Sequence, residues 1–302
     1  MPARTTPPIA GRYVLIDQVG SGGMGAVWRA RDARTGELVA AKVLGVHDGT
    51  MLLRFVREQS VRIRHPHVVA PTGWAAEDHR VVFGMDLVRG GSVEDLLREH
   101  ATLPPSYVAR LLDQLLQALA AVHAAGVVHR DVKPGNLLLE PTGSGPPFLR
   151  LGDFGVAVPV EDVRLTRVPG AVGTDGYMAP EQAAGAAPEP RQDLYAAGVV
   201  TAQLLTGTSP RTGRAPVVPD GPLRPLVEAL TSADADLRPP TAAAALERLR
   251  RIDVPLDPAW PVVPDRIGDL PRGSTPRWPD VVIAASLTVI ALCVTACWLL
   301  LT

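Results

Sequence analysis

The segment His129-Arg130-Asp131-Val132-Lys133-Pro134-Gly135-Asn136 is followed, seventeen residues after its Asn, by Asp153-Phe154-Gly155. Together they supply two carboxylates, a lysine and an amide. Such a set suits a metal-bound nucleotide and a hydroxyl acceptor, because moving a phosphoryl group needs positioned charge more than covalent chemistry from the protein. Asp131 is the candidate to accept the hydroxyl proton. Asn136 and Asp153 are the candidates to hold metal that bridges the phosphates, and Lys133 can offset charge gathering on the transferred group. A surface loop with incidental ion pairs has no reason to keep this order over eight positions and a second motif.

Upstream, Gly20-Ser21-Gly22-Gly23-Met24-Gly25 follows the pattern G-x-G-x-x-G. Glycines there let backbone N–H groups approach phosphates without a Cβ in the way. Taken singly, the motif also fits an ordinary glycine-rich hairpin. A dinucleotide-binding loop would open a helix, whereas Ala26-Val27-Trp28-Arg29-Ala30 reads as a strand, so a strand-loop-strand flap is expected. Lys42 lies in Val39-Ala40-Ala41-Lys42 on a third strand, where an inward-facing lysine needs an anion such as the α- and β-phosphates. Glu58 could fix its direction, or could pair at the surface with Arg54 or Arg62, each four residues away.

The elements that must carry these residues follow from pattern. Tyr13–Ile16, Ala26–Ala30 and Leu38–Val43 read as strands, with Thr35-Gly36 as a turn. Met51–Arg64 has Leu52, Phe55, Val56 and Ile63 at helical spacing and stops at His65-Pro66. Val68–Trp74 and Arg80–Leu87 fit further strands. Ser92 is an N-cap for Val93–Glu99, with Asp95 in its first turn. Pro104 and Pro105 open a helix through Tyr107–Gly126 that buries Leu111, Leu112, Leu115, Leu116 and Leu119. The expectation is an α+β chain with a small β-rich lobe ahead of a helical one.

With these landmarks in order, the chain resembles the bacterial eukaryotic-like (Hanks-type) serine/threonine protein kinases that carry a membrane anchor. The likeness covers about residues 11–252 and continues through Gly173-Thr174-Asp175-Gly176-Tyr177-Met178-Ala179-Pro180-Glu181, Asp193-Leu194-Tyr195 and Leu237-Arg238-Pro239. It implies the two-lobed protein kinase fold, with an N-lobe of about 11–88 and a C-lobe of about 89–252. It implies ATP with Mg²⁺, or Mn²⁺, and protein substrates. By the same resemblance Val27 and Ala40 pack on adenine, Met85 is the gatekeeper, and Asp86, Leu87 and Val88 form the hinge that hydrogen-bonds the base. Glu181 pairs with Arg238, and Asp193 braces the catalytic loop. Lys133 and Thr174 are similar to the serine/threonine rather than the tyrosine type.

Arg130 precedes the base, and in such kinases this arginine can link to a phosphorylated activation segment, here 153–181. Thr166 is the hydroxyl residue of that segment before Thr174. Autophosphorylation at Thr166, between copies of a homodimer, is therefore expected to order the loop through Arg130. A pseudokinase scaffold would lack Lys42, Asp131, Asn136 or Asp153, and all four are present. A small-molecule kinase would not need the Gly-Thr and Ala-Pro-Glu elements. Two departures stand out. Asp193 and Arg238 are 45 positions apart with a proline-rich Gly207–Pro225 between them, so the substrate-docking part of the C-lobe is expected to be trimmed. Many similar kinases carry an extracellular sensor after the membrane helix, and the sequence here stops at Thr302, so simple tethering or lateral dimerisation is expected rather than ligand sensing.

Composition bounds the rest. The chain has 302 residues and a net charge of −1, which argues against a basic nucleic-acid surface. Its two cysteines, Cys293 and Cys297, make no disulfide framework. Residues 1–10 read as a flexible leader without the apolar core of a signal peptide. Residues 253–280 hold seven prolines, from Pro255 to Pro279, and read as an extended juxtamembrane linker. Val281–Thr302 carries no charge. As a helix it is roughly 33 Å long, enough for a bilayer core. Trp278 and Trp298 near its ends, and Arg266, Arg272 and Arg277 before it, predict a single transmembrane helix in contact with lipid and residues 1–280 in the cytoplasm.

Overall fold

The computed structural model describes residues 8–22, 25–45, 63–77, 80–153, 158–159, 174, 176–257 and 259–268. The chain opens with five antiparallel strands: β1 (Tyr13–Gly22), β2 (Gly25–Asp32), β3 (Leu38–Gly45), β4 (Pro71–Glu77) and β5 (Arg80–Met85). They form one sheet in the order β1-β2-β3-β5-β4. Register sorts their side chains by face. Lys42 lies opposite Val27 and Phe83, and Ala40 opposite Met85, so these five share one face. Tyr13, Ala30, Val39, Ala41 and Val82 pack together on the other. Ile9 joins that second cluster, bridging to Tyr13 and donating its N–H to the Tyr13 carbonyl. The expected flexible leader therefore gives way before residue 10, because an apolar side chain there closes the outer face of the sheet.

The helical lobe begins at α1 (Val93–His100). Ser92 accepts from the Asp95 N–H, and Asp95 accepts from the Ser92 N–H, a reciprocal cap that satisfies two otherwise orphaned donors. α2 (Pro105–Ala124) starts with proline where no intrahelical N–H is needed, and its five leucines of the expected stripe are all buried. β6 (Val127–Val128) leads to the catalytic segment, a 3₁₀ turn Pro134–Asn136, and the hairpin β7 (Leu137–Leu139) with β8 (Leu149–Leu151). β9 (Val158–Pro159) pairs with β6. α3 (Pro180–Ala183), α4 (Pro190–Thr206), α5 (Arg224–Leu230) and α6 (Ala242–Arg250) follow. α4 is buried around most of its circumference, as the central post of the lobe must be. Gly207, at φ 68, ends it in the left-handed conformation.

Residues 67–69 tie the two parts together. Val68 bridges to Leu151, the Val69 N–H donates to the Leu151 carbonyl at 2.8 Å, and the Leu151 N–H donates to the His67 carbonyl at 2.8 Å. Beyond α6 the chain is extended, as its prolines predict, but residues 253–267 are not a free linker. Val263 is buried and exchanges backbone hydrogen bonds with Gly143, and Trp260 donates from Nε1 to Ser106 at 2.9 Å. The packed unit thus extends to residue 267 rather than 252. Among the described residues no helix is long and apolar enough to cross a membrane. The runs Val281–Thr302 and Met51–Arg62, with Glu58, lie outside them.

Helix α4 offers a test of packing against propensity. A Cβ on Gly198 would sit 2.7 Å from both Leu230 Cβ and Thr231 Cγ2. Gly198→Ala is favoured by about 1 kcal/mol on helix propensity. It should nonetheless destabilise the lobe, by roughly 1–3 kcal/mol, because α5 must move. A thermal melt showing a raised midpoint would contradict this account.

Candidate active site

The catalytic segment hangs from α4 by one carboxylate. Asp193, 1% exposed, accepts from the His129 N–H at 2.9 Å, the Arg130 N–H at 2.8 Å and His123 Nε2 at 2.8 Å. Burial pushes its carboxyl up, but His123, His129 and the Arg130 N–H outweigh that and hold it below the usual carboxylate range. Its place in the first turn of α4 adds the positive end of the helix dipole. Arg130 can then be held at φ 68, a conformation costly for a residue with a Cβ. His129 is buried, with Nε2 3.0 Å from the Gly152 carbonyl and Nδ1 accepting the Asp131 N–H at 3.3 Å, so its proton sits on Nε2.

Asp131 is the centre of a closed network. Its Oδ1 accepts from the Thr174 hydroxyl at 2.7 Å. Its Oδ2 accepts from Lys133 Nζ at 2.8 Å and from the Asn136 amide at 3.0 Å. Lys133 also donates to Thr174 Oγ1 at 2.7 Å, and the Asn136 amide also donates to the Asp131 carbonyl at 2.7 Å. Burial alone would raise the Asp131 carboxyl. Hydrogen bonds from Lys133, Thr174 and Asn136 win and keep it lowered, so it is ionised at neutral pH. The 3₁₀ turn Pro134–Asn136 brings the amide back onto the carboxylate five residues earlier.

Facing this network, Lys42 on β3 is 9% exposed and pairs with Asp153, which stands at φ 57. Gly152, just before it, donates its N–H to the Asn136 carbonyl at 2.9 Å, so Asn136 and Asp153 belong to neighbouring backbone segments. Gly20, Ser21 and Gly22 end β1, and Gly22 pairs with Gly25 at the start of β2, so the glycine motif is the tip of a hairpin and not the start of a helix. Gly25 sits at φ +143, and a Cβ there would meet the Val43 carbonyl oxygen at 2.4 Å. Gly23 and Met24 lie outside the described residues, as do Thr166 and the rest of 160–173. Val27, Ala40 and Met85 share the sheet face of Lys42. Asp86, Leu87 and Val88 connect β5 to the helical lobe without regular structure, and Val88 is buried.

Below the cleft, Arg238 is buried and holds Glu181 through two hydrogen bonds of 2.6 and 2.9 Å, while stacking 5.0 Å from the centre of the Tyr195 ring. Three contributors were not singled out from sequence. His123 completes the shell of Asp193. Gln182 donates to the Arg130 carbonyl at 3.1 Å. Arg150 on β8 donates to the Asp86 carboxylate at 2.6 Å and to the Val68 carbonyl at 3.2 Å, bracing the connection between lobes. A charged residue between two buried leucines of a short strand was the available signal for Arg150.

Removing Glu181 from the buried Arg238 should cost more than losing a surface ion pair does. Glu181→Gln leaves Arg238 with an uncompensated charge and is expected to destabilise by about 3 kcal/mol in urea titration. Asp193 gives a pH test. Its folded carboxyl titrates below its unfolded value, so its stabilisation is present above about pH 4 and is lost as pH falls through the folded value. The stability advantage of the native chain over Asp193→Asn should hold from pH 7 to 5 and shrink below pH 4. An advantage that grows with acid would contradict the assignment.

Residues 13–217 match the protein kinase domain family. Serine/threonine-protein kinase PkaA of Streptomyces coelicolor is 40% identical over 222 residues, covering 68% of this chain and 41% of its own. Serine/threonine-protein kinase pkn3 of Myxococcus xanthus is 38% identical over 212 residues, covering 67% and 39%. Serine/threonine-protein kinase PknA of Mycobacterium tuberculosis is 35% identical over 223 residues, covering 70% and 51%. The matches thus span between two fifths and about half of the relatives' own length. The relatives it matches are named serine/threonine-protein kinases, and the chain belongs to the protein kinase family.

Proposed function

We propose that the chain transfers the γ-phosphoryl group of ATP to serine and threonine hydroxyls of proteins, with Asp131 as base. The observation that carries this reading is the Asp131–Thr174–Lys133 triangle, with each contact at 2.7 or 2.8 Å. Thr174 sets a hydroxyl beside an ionised carboxylate, the relation that an acceptor serine or threonine must reach. The acceptor oxygen bonds to the γ-phosphorus, the bond from phosphorus to the ADP oxygen breaks, and the hydroxyl proton passes to Asp131. Lys133 faces the charge that gathers on the transferred group.

Gly20, Ser21, Gly22, Gly23, Met24 and Gly25 form the flap over the phosphates, and Lys42 holds the α- and β-phosphates with Glu58 as its second partner. Val27, Ala40 and Met85 line the adenine, with the backbone of Asp86 and Val88 hydrogen-bonding its edge. Asn136 and Asp153 offer hard oxygen donors, which fit Mg²⁺ or Mn²⁺ shared with substrate phosphates. When bound, the ion neutralises phosphate charge. Engagement of the Asn136 nitrogen by Asp131 turns the amide oxygen away from the base and leaves it as the ligand atom.

The finer reading has further parts. Thr166 is the regulatory phosphorylation site and Arg130 its partner, with two copies meeting as a homodimer for the transfer. Val281–Thr302 anchors the enzyme in lipid as a single-pass helix with the kinase domain in the cytoplasm, supported by 22 uncharged residues flanked by Trp278 and Arg277. Removing 281–302 should move the protein from the alkali-resistant membrane pellet to the supernatant, and an unchanged distribution would refute the anchor.

The catalytic reading is tested with labelled ATP, magnesium and a generic protein acceptor. Asp131→Asn should lower incorporation by about 10²–10⁴-fold while nucleotide still binds. Thr174→Ser should keep most activity and Thr174→Ala should lose it. Phosphoamino-acid analysis should return phosphoserine and phosphothreonine. Wild-type activity retained in Asp131→Asn would overturn the assignment of the base.

A further inference from the structure

We infer that residues 259–267 form a strap that positions the hinge, and that Arg266 is its positioning residue. The inference rests on the reading of Asp86–Val88 as the adenine-binding hinge. The strap lies outside the residues that match the kinase family, which end at 217.

Arg266 takes both carbonyls that leave the hinge. Its backbone N–H donates to the Arg89 carbonyl at 2.8 Å, and its Nε donates to the Gly90 carbonyl at 3.1 Å. The remaining guanidinium nitrogens form two bonds of 2.8 Å with Glu99 on α1, which fixes the fork in plane. Asp265 pairs with Arg89 at 2.8 Å. The fit leaves no spare room. A Cβ on Gly90 would meet Val263 Cγ1 at 2.7 Å on one side and the Leu139 carbonyl oxygen at 2.4 Å on the other. A Cβ on Gly91 would meet Arg266 Cδ at 2.5 Å. The hinge exit is therefore held between β7 and the strap.

Both ends of the strap are fastened, and to different lobes. At one end Trp260 meets the Tyr107 ring edge-on at 5.6 Å and Val263 pairs with Gly143, all on the helical lobe. At the other, the Ile267 carbonyl accepts from Arg29 on β2 at 3.3 Å. Arg29 is buried and grips Asp17 of β1 through two bonds of 2.7 Å, three residues before the glycine motif begins. One short segment thus touches the hinge exit, the start of α2 with the β7–β8 connection and, through Arg29, the strand that leads into the glycine motif. A shift of the strap would move the backbone that recognises adenine without touching Asp131 or Lys133.

The test uses the full-length protein and separates adenine recognition from phosphate recognition. Arg266→Ala should raise the KM for ATP and the inhibition constant of adenosine by about fivefold, with kcat at saturating ATP within about twofold and inhibition by magnesium tripolyphosphate unchanged. Arg266→Lys, which keeps charge but not the fork, should fall between. If Arg266→Ala does not fold, Asp265→Asn should give the same split. Unchanged adenosine inhibition in a folded variant, or equal losses for adenosine and tripolyphosphate, overturns the strap's role. Val88→Pro, which removes a hinge N–H, distinguishes the two ways to fail. If it weakens adenosine while Arg266→Ala does not, only the strap inference falls. If it leaves adenosine unaffected, the hinge reading falls with it.

Discussion

A buried carboxylate is an expensive thing to keep ionised, and the catalytic segment depends on one. Asp193 is worth its desolvation only because three donors converge on it, two of them backbone N–H groups of consecutive residues. Those two bonds decide where His129 and Arg130 stand, and therefore where Asp131 points. They also explain how Arg130 tolerates a positive φ: the conformation is over-determined from below, by Asp193, and from the side, by Gln182 on its carbonyl. Helix α4 must be rigid for this to work. Its burial on nearly all sides, with Gly198 admitting α5 to close contact, supplies that rigidity.

From that pedestal the chemistry is built in two half-sites on opposite sides of a cleft. Asp131, Lys133, Asn136 and Thr174 are mutually hydrogen-bonded and belong to the helical lobe. Lys42 belongs to the sheet and reaches across to Asp153, which stands at positive φ. Because that ion pair joins lobes, its geometry depends on the connection between them. Arg150 braces the connection at Asp86, and the strap braces it at Arg89 and Gly90. The geometry of the 86–90 connection and that of the Lys42–Asp153 pair are consequently coupled through ordinary hydrogen bonds of about 3 Å.

That Asp131, Lys133 and Asn136 come together was legible in the sequence because their constraints are local or ordered. Asp131 and Asn136 are five residues apart, and a 3₁₀ turn brings their side chains together without help from elsewhere. The strand after the glycine motif separated a flap from a dinucleotide loop, and the hairpin register agrees. Ser92 and Asp95 announced a helix start that the capping bonds realise. Residues whose role depends on distant partners were not legible. His123 meets Asp193 seventy positions away and Arg150 meets Asp86 sixty-four away, and each reads in sequence as a plain polar residue. Ile9 reads as part of a leader because one apolar residue among prolines and threonines has no periodicity to reveal a buried face.

The strap shows why a proline-rich stretch can be read correctly for conformation and wrongly for attachment. Proline fixes φ and removes a donor, so Pro255, Pro261 and Pro264 favour an extended chain with few N–H groups to satisfy. Extended, solvated chain is usually taken for linker. Yet the same features lower the cost of docking, since less backbone entropy is lost when φ is already set. Several of the N–H groups that remain are used: Val263 donates to Gly143, Arg266 to Arg89 and Ile267 to the Asp265 side chain. Whether such a segment docks is decided by its complement, here the bare backbone at Gly90 and Gly91 that lets Val263 and Arg266 approach. Those glycines sit 173 and 175 positions upstream of the residues they admit, and no reading of 253–280 by itself could have joined them.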